Sequence, residues 1–271
     1  MVGAILNTHG VALAADLDRG FTSNGKDNSV TIFALSTLKV IGSVPAEKKP
    51  DGIVYDPASK RVFAANGESG SLTPIDAATG KALTAIPLGG KPEFVAVDGK
   101  GRLFVNLEDK NLLLVVDTNK LTVTHRYDLS ASCDEPAGLS IDPGTQRLFV
   151  GCHNQKMAIV DANTGKILDA PPIGRGSDAT AYDAQANLAF SSNGDGTLNV
   201  ISPLDQKHYQ RKQTVNTMPG ARTMAIDPVS HKVYLVAAET EPVDADAGTQ
   251  QKPAVRAHLK PDTLTLITVS P

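Results

Sequence analysis

The chain has no tryptophan, and aromatic residues make up only 4% of its 271 positions. Hydrophobic residues still reach 41%, enough to bury a sizeable core. No stretch approaches the roughly 18 consecutive apolar residues that a membrane helix requires, which argues against a helical span. A strong excess of charge of either sign is also missing. A net charge of −3 and a pI near 6.1 give no global attraction to nucleic acid or to an anionic membrane. There is no Gly-x-Ser-x-Gly elbow, no phosphate-binding loop and no His-Glu-x-x-His helix, so the sequence motifs of several hydrolase classes are absent. Cysteine occurs only at Cys133 and Cys152.

What is present is a repeat. Lys48–Gly90 holds four short apolar runs: Gly52–Tyr55, Arg61–Ala65, Ser71–Ile75 and Ala82–Leu88. They are closed in turn by Asp56-Pro57, Asn66-Gly67, Asp76–Lys81 and Gly89-Gly90. Runs this short, rich in Val, Ile, Leu and Phe and bounded by Gly, Pro, Asn and Asp, are strands joined by tight turns. Four antiparallel strands make one propeller blade. The aromatic of the second strand recurs at Phe21, Phe63, Phe104, Phe149, Phe190 and Tyr234, at spacings of 42, 41, 45, 41 and 44 residues. The Asp that ends the first strand recurs as Asp56, Asp98, Asp142, Asp183 and Asp227. A period in the low forties with four strands per unit predicts an all-β fold, a β-propeller. A helical array of similar period would need apolar residues at spacings of three and four over ten or more residues, and none does this.

The expected organisation is one domain over residues 1–271, with six four-stranded blades. Met1–Asp16 has a superficial likeness to a signal peptide, but it lacks a basic start and is broken by Asn7-Thr8-His9-Gly10. Repeat register instead makes Val2–Leu6 an outer strand and Val11–Ala14 an inner one. The sixth unit has its own strands at Thr223–Ile226, Lys232–Ala237 and Thr263–Val269, interrupted by a polar, Pro-rich stretch at 239–262 that reads as a mobile loop. Val2–Leu6 is expected to supply its fourth strand and close the ring. The alternative is six blades of an incomplete seven-bladed ring.

The motifs Gly20–Gly25 (GFTSNG), Val62–Gly67 (VFAANG) and Ala189–Gly194 (AFSSNG), followed by Asp-x-x-Thr-Gly-Lys turns, carry a family resemblance. The chain resembles the YVTN-type β-propeller repeat proteins, which overlap with surface-layer-like and lactonase-like propellers. The resemblance spans essentially the whole chain. It implies a propeller and a periplasmic or secreted location; it implies no one activity.

In a propeller, the loops entering the first strand and leaving the second share one face, where ligand groups gather. Five residues before each first-strand Asp lie Asp51, Glu93, Ala137, Asp178 and Arg222, and the same register in the first repeat gives His9. Asp134 and Glu135 lie beside the Ala137 position. The second-strand exits add Asn24, Asn66, Asn106, His153, Asn193 and Glu239. Carboxylates converging on one axis suit a hard divalent cation, so Asp51, Glu93 and Asp178 are candidate ligands for calcium or magnesium. The competing reading has these carboxylates capping loops, and the asparagines serving as left-handed turn residues.

Cys133 and Cys152 flank a hairpin in which Cys152 falls opposite Ala137. A disulfide, two free thiols, and metal ligation with His153 and a further partner all remain open. Lys207, His208, Arg211 and Lys212 read as a solvated outer edge. Two functions fit. One is a monomeric binding or scaffold propeller whose axial face takes a small polar or anionic ligand or another protein. The other is a metal-dependent lactone hydrolase, with His9 or Glu135 as base and Arg222 anchoring an anionic substrate.

Overall fold

The computed structural model describes residues 8–241 and 259–270. Six antiparallel sheets stand as six blades in a ring. Blade one comprises Thr8–Ala14, Arg19–Asn24, Ser29–Ala34 and Val40–Pro45. The inner strands of blades two to six are Pro50–Asp56, Pro92–Val97, Pro136–Asp142, Ser177–Asp183 and Thr223–Ile226. Their second strands are Arg61–Asn66, Arg102–Leu107, Arg147–Cys152, Leu188–Asn193 and Val233–Ala237. Among the described residues there is no α-helix, only two single turns of 3-10 helix at Ala15–Leu17 and Glu108–Lys110.

The landmark aspartates have local work to do. The Asp56 carboxylate accepts from the Ala58 and Ser59 amides and the Ser59 hydroxyl. Asp183 accepts from the Gln185 and Ala186 amides, and Asp227 from the Val229 amide and the Ser230 hydroxyl. Each closes the hairpin between inner and second strands as an Asx turn. Asp76 and Asp161 do the same for the outer hairpin, where Gly80 and Gly165 take the positive φ of 72° that the turn demands.

The fourth strand expected over Ala82–Leu88 is split into Lys81–Ala82 and Ile86–Pro87. Pro74 on the facing strand has no N–H to offer, so the ladder lapses opposite it, with Ile75 paired to Ala82 and Leu72 to Ile86.

The core is a series of contacts between blades. Phe21 packs with Val62 and Ala64 of blade two, Phe63 with Val105 of blade three, and Phe104 with Leu148 and Val150 of blade four. Phe149 packs with Ala189 and Ile201 of blade five, and Phe190 with Val233 and Leu235 of blade six. The repeating aromatic is thus the side chain that joins each blade to the next. Among the described residues, no such cluster joins blade six to blade one. Around half-buried Tyr234, Val236 and Leu266 are 40% and 65% exposed, and Val11 and Leu13 of blade one are 57% and 58% exposed. The sixth sheet has three described strands, Thr265–Val269 being the last. The closing strand expected at Val2–Leu6 lies outside the described residues, as do residues 242–258 of the expected loop.

Candidate functional site at the axial mouth

The charged ring positions sit where strand pairing slips. The register between inner and second strands breaks between Thr8 and Val11, Pro50 and Ile53, Pro92 and Val95, Pro136 and Leu139, and Ser177 and Ala179. His9, Asp51, Glu93, Ala137 and Asp178 are among the residues left unpaired. A bulge bends the strand and re-aims its side chain. Glycine follows the ring residue in blades one, two and four because the neighbouring backbone comes too close for a side chain. A Cβ on Gly52 would lie 2.6 Å from the Glu93 carbonyl oxygen, and one on Gly138 2.7 Å from the Thr180 nitrogen.

Second-strand hydroxyls and an amide pin this backbone. The Ser23 hydroxyl accepts from the Gly10 amide at 3.0 Å and donates to the Asp51 carbonyl of the next blade at 2.5 Å. Ser192 donates to the carbonyl of Arg222, and Asn106 donates to the carbonyls of Ala137 and Gly138 at 3.0 and 3.2 Å.

Each ring acid faces its own base. His9 Nδ1 lies 3.4 Å from Asp51 Oδ1, Lys91 Nζ 3.4 Å from Glu93 Oε2, and Arg222 Nε 3.7 Å from Asp178 Oδ2. These separations exceed the roughly 2.7–2.9 Å of a tight charge-assisted hydrogen bond. Burial pushes the Glu93 carboxyl up; Lys91 opposes this, while the charges of Glu108 and Asp51 add to it. Burial likewise raises Asp178, opposed by Arg222 and reinforced by Asp51. Burial alone would lower Lys91, but its hydrogen bond to Glu108 and the charges of Glu93 and Glu108 outweigh this and raise it. Asp51 therefore acts on both Glu93 and Asp178, within electrostatic range across the mouth.

Asp51, Glu93 and Asp178 do not bring their oxygens to one point. Among the described residues, the three-membered set whose ligand atoms lie within 4.8 Å of one another is Glu108, Glu135 and His153. Glu135 and His153 were legible from register; Glu108 was not selected. Its signal was available, because Glu68, Glu108 and Asp195 all stand two residues beyond a second-strand asparagine. Lys91, which bonds Glu108, was also missed.

The asparagines do another job. Asn24, Asn66, Asn106 and Asn193 are buried, and none has a positive φ, which corrects the expectation of left-handed turn residues. Asn24 donates to Ser29 and Thr31, Asn66 to Ser71 and Thr73, and Asn193 to Thr197 and Asn199 on the adjoining third strand. The amide nitrogens of these three are spent inside their own sheets. Glu239 pairs with Lys260 at 2.8 Å across the base of the blade-six insertion.

Cys133 and Cys152 form a disulfide with Cα atoms 5.3 Å apart. Cys152 pairs with Pro136, not Ala137, because the bulge shifts the register. The outer hairpin of blade five carries His208 on Asp205 at 2.7 Å, in the exposed turn before its edge strand Tyr209–Asn216, as expected of a solvated edge.

A cavity of about 790 Å³ opens at this mouth. His9, Asp51, Glu93, Asp178 and Arg222 line it, and Val11, Tyr234, Val236 and Leu266 extend it between blades one and six. A second cavity of about 580 Å³ lies by the Asp142 and Tyr209 side chains of blades four and five, at the opposite ends of the inner strands. Its Asp142 and Arg147 are already engaged by Gly144 and Asp161.

No family model matches the chain, and no curated protein matches it. Solved structures do. The chain is similar to Kuenenia stuttgartiensis hydrazine synthase, with a TM-score of 0.72 and 18% identity over 87% of this chain and 75% of that one. It is similar to the Cps50 (Swd1) β-propeller domain of Myceliophteria thermophila, with a TM-score of 0.71 and 14% identity over 84% and 79%. A functionally unknown protein from Desulfotomaculum acetoxidans gives a TM-score of 0.74 at 10% identity over 85% and 79%. At these identities the likeness establishes the propeller fold. It does not extend to the YVTN family, for which these comparisons supply no member. Among the described residues, no helix is long and apolar enough to cross a membrane.

Proposed function

We propose that this propeller is a binding protein whose axial mouth takes a small, charged, water-soluble ligand. The observation that carries the reading is the ring itself. His9, Asp51, Glu93, Asp178 and Arg222 occupy one repeat position, four of them are set by strand bulges, and all five line one cavity. Concave sites with a few convergent polar groups on an apolar wall suit small molecules. The 3.7 Å separation between Arg222 and Asp178 leaves that pair open to exchange with a ligand group of opposite sign. Arg222, 61% exposed in its side chain, is the natural partner for a carboxylate, and Asp51 and Glu93 for an amine or a cation.

The disulfide fits maturation in an oxidising compartment, and a periplasmic or secreted location goes with this reading. A thermal-shift screen with small carboxylates, amino acids, amines and lactones, each with and without chelator, tests the proposal. Stabilisation by a charged compound that Arg222→Gln or Asp51→Asn abolishes supports it. Loss of a lactone during the screen would instead favour a hydrolase. A screen in which stabilising compounds act equally on both variants would overturn the site.

A further inference from the structure

Three ligand-type side chains come together where blades three and four meet, outside the lining of the axial cavity. Glu108 opens the 3-10 turn that follows the second strand of blade three. Glu135 precedes the inner strand of blade four, and His153 follows its second strand. One ligand atom from each lies within 4.8 Å of the other two. His153 Nδ1 is 2.8 Å from Glu135 Oε2. None of the three lines the axial cavity described above.

Two of these residues are held by a covalent bond. Cys133 lies two positions before Glu135, and Cys152 immediately precedes His153, so the disulfide ties both ligand-bearing segments together. The His153 amide reinforces this, donating to the Asp134 carbonyl at 2.9 Å. The third residue is fixed from the other side. Glu108 is only 19% exposed in its side chain and accepts from Lys91 through Oε2.

We propose that Glu108, Glu135 and His153 form a binding site for a divalent first-row transition metal, represented by zinc. The donor set decides the class. Two carboxylates and one imidazole match the N/O chemistry of zinc and leave a fourth position for water. Calcium and magnesium prefer all-oxygen shells, so the imidazole selects against them. The metal replaces the contact between His153 and Glu135 as the link between the two side chains. Lys91 is the local opponent, since its ammonium already neutralises Glu108. A carboxylate has two oxygens, and the one not serving Lys91 is open to a metal, but the nearby positive charge weakens binding.

The test is competition for zinc between the full, disulfide-bonded protein and a chromophoric chelator. The expected result is one zinc per chain, with calcium failing to compete at equal concentration. His153→Ala and Glu108→Gln should each weaken affinity at least tenfold, while Lys91→Gln should strengthen it or leave it unchanged. His208→Ala, at the separate Asp205 pair on the outer edge, should leave affinity unchanged. Circular dichroism spectra of the variants confirm that each folds. Absence of stoichiometric zinc binding, or equal affinity in wild type, His153→Ala and Glu108→Gln, would overturn the proposal. Either failure leaves the axial-cavity reading standing, because its test uses other residues and other ligands.

Discussion

Ser23 and Asp51 belong to different blades, yet the Ser23 hydroxyl donates to the Asp51 carbonyl at 2.5 Å while accepting from the Gly10 amide at 3.0 Å. One short side chain thus holds the bulge of its own inner strand and the ring residue of the next. Ser192 repeats the cross-blade half of this, donating to the Arg222 carbonyl. Ring geometry is set by contacts between blades as much as by the strands themselves. Ser23→Ala leaves a carbonyl and an amide with one partner fewer, and should lower stability by about 1–3 kcal/mol. Denaturant unfolding measures it, and an unchanged midpoint would show that the bridge contributes nothing.

The aromatic of each second strand should dominate stability. Phe63 is fully buried among Val105, Leu114 and Leu72. Phe63→Ala is expected to cost about 3–5 kcal/mol, as large core truncations do. Leu13→Ala, on a 58% exposed side chain of the inner strand of blade one, should cost well under half of that. Equal losses for the two would mean that the apolar surface between blades one and six is covered.

Much of this was readable from the sequence because the landmarks have local causes. Asp56 and Asp183 mark the hairpins since they cap them, and the five phenylalanines from Phe21 to Phe190 mark the blades since each fills a gap between neighbours. The ring was readable as a register position. What register could not supply was partnership. The binding of Asn106 to blade four depends on how blades pack, and the hold of Lys91 on Glu108 on how strand ends of one blade meet; these partners stand 17 to 32 positions apart. The split fourth strand of blade two was readable in principle, because Pro74 stands in the strand it faces.

The disulfide should stabilise the fold as well as order the rim. Its partners are 19 residues apart, and closing a loop of that size contributes roughly 3 kcal/mol in the chain-entropy account. Urea unfolding with and without reductant should show a drop of that order. Coincident curves would show that the bond adds no stability.

Asp178 sets a pH signature. Burial raises its carboxyl, so the folded protein holds a proton that the unfolded chain has released. In the window between the ordinary aspartate value and the raised one, stability therefore falls as pH rises. Above that window the buried charge is a standing cost. Asp178→Asn removes it, so the melting temperature of the variant minus that of wild type should be near zero in acid below the ordinary aspartate range and positive at neutral pH. A difference that is negative at neutral pH, or constant with pH, would show that the pair with Arg222 outweighs desolvation.

The most direct test of the central claim is a backbone-amide NMR titration of the assigned protein with the best stabilising compound from the thermal-shift screen. If the axial mouth is the binding site, shift changes will cluster at His9, Asp51, Glu93, Asp178 and Arg222, and Arg222→Gln will abolish them. Changes confined to the outer strands, such as Tyr209–Asn216, with the ring amides unmoved, would contradict it.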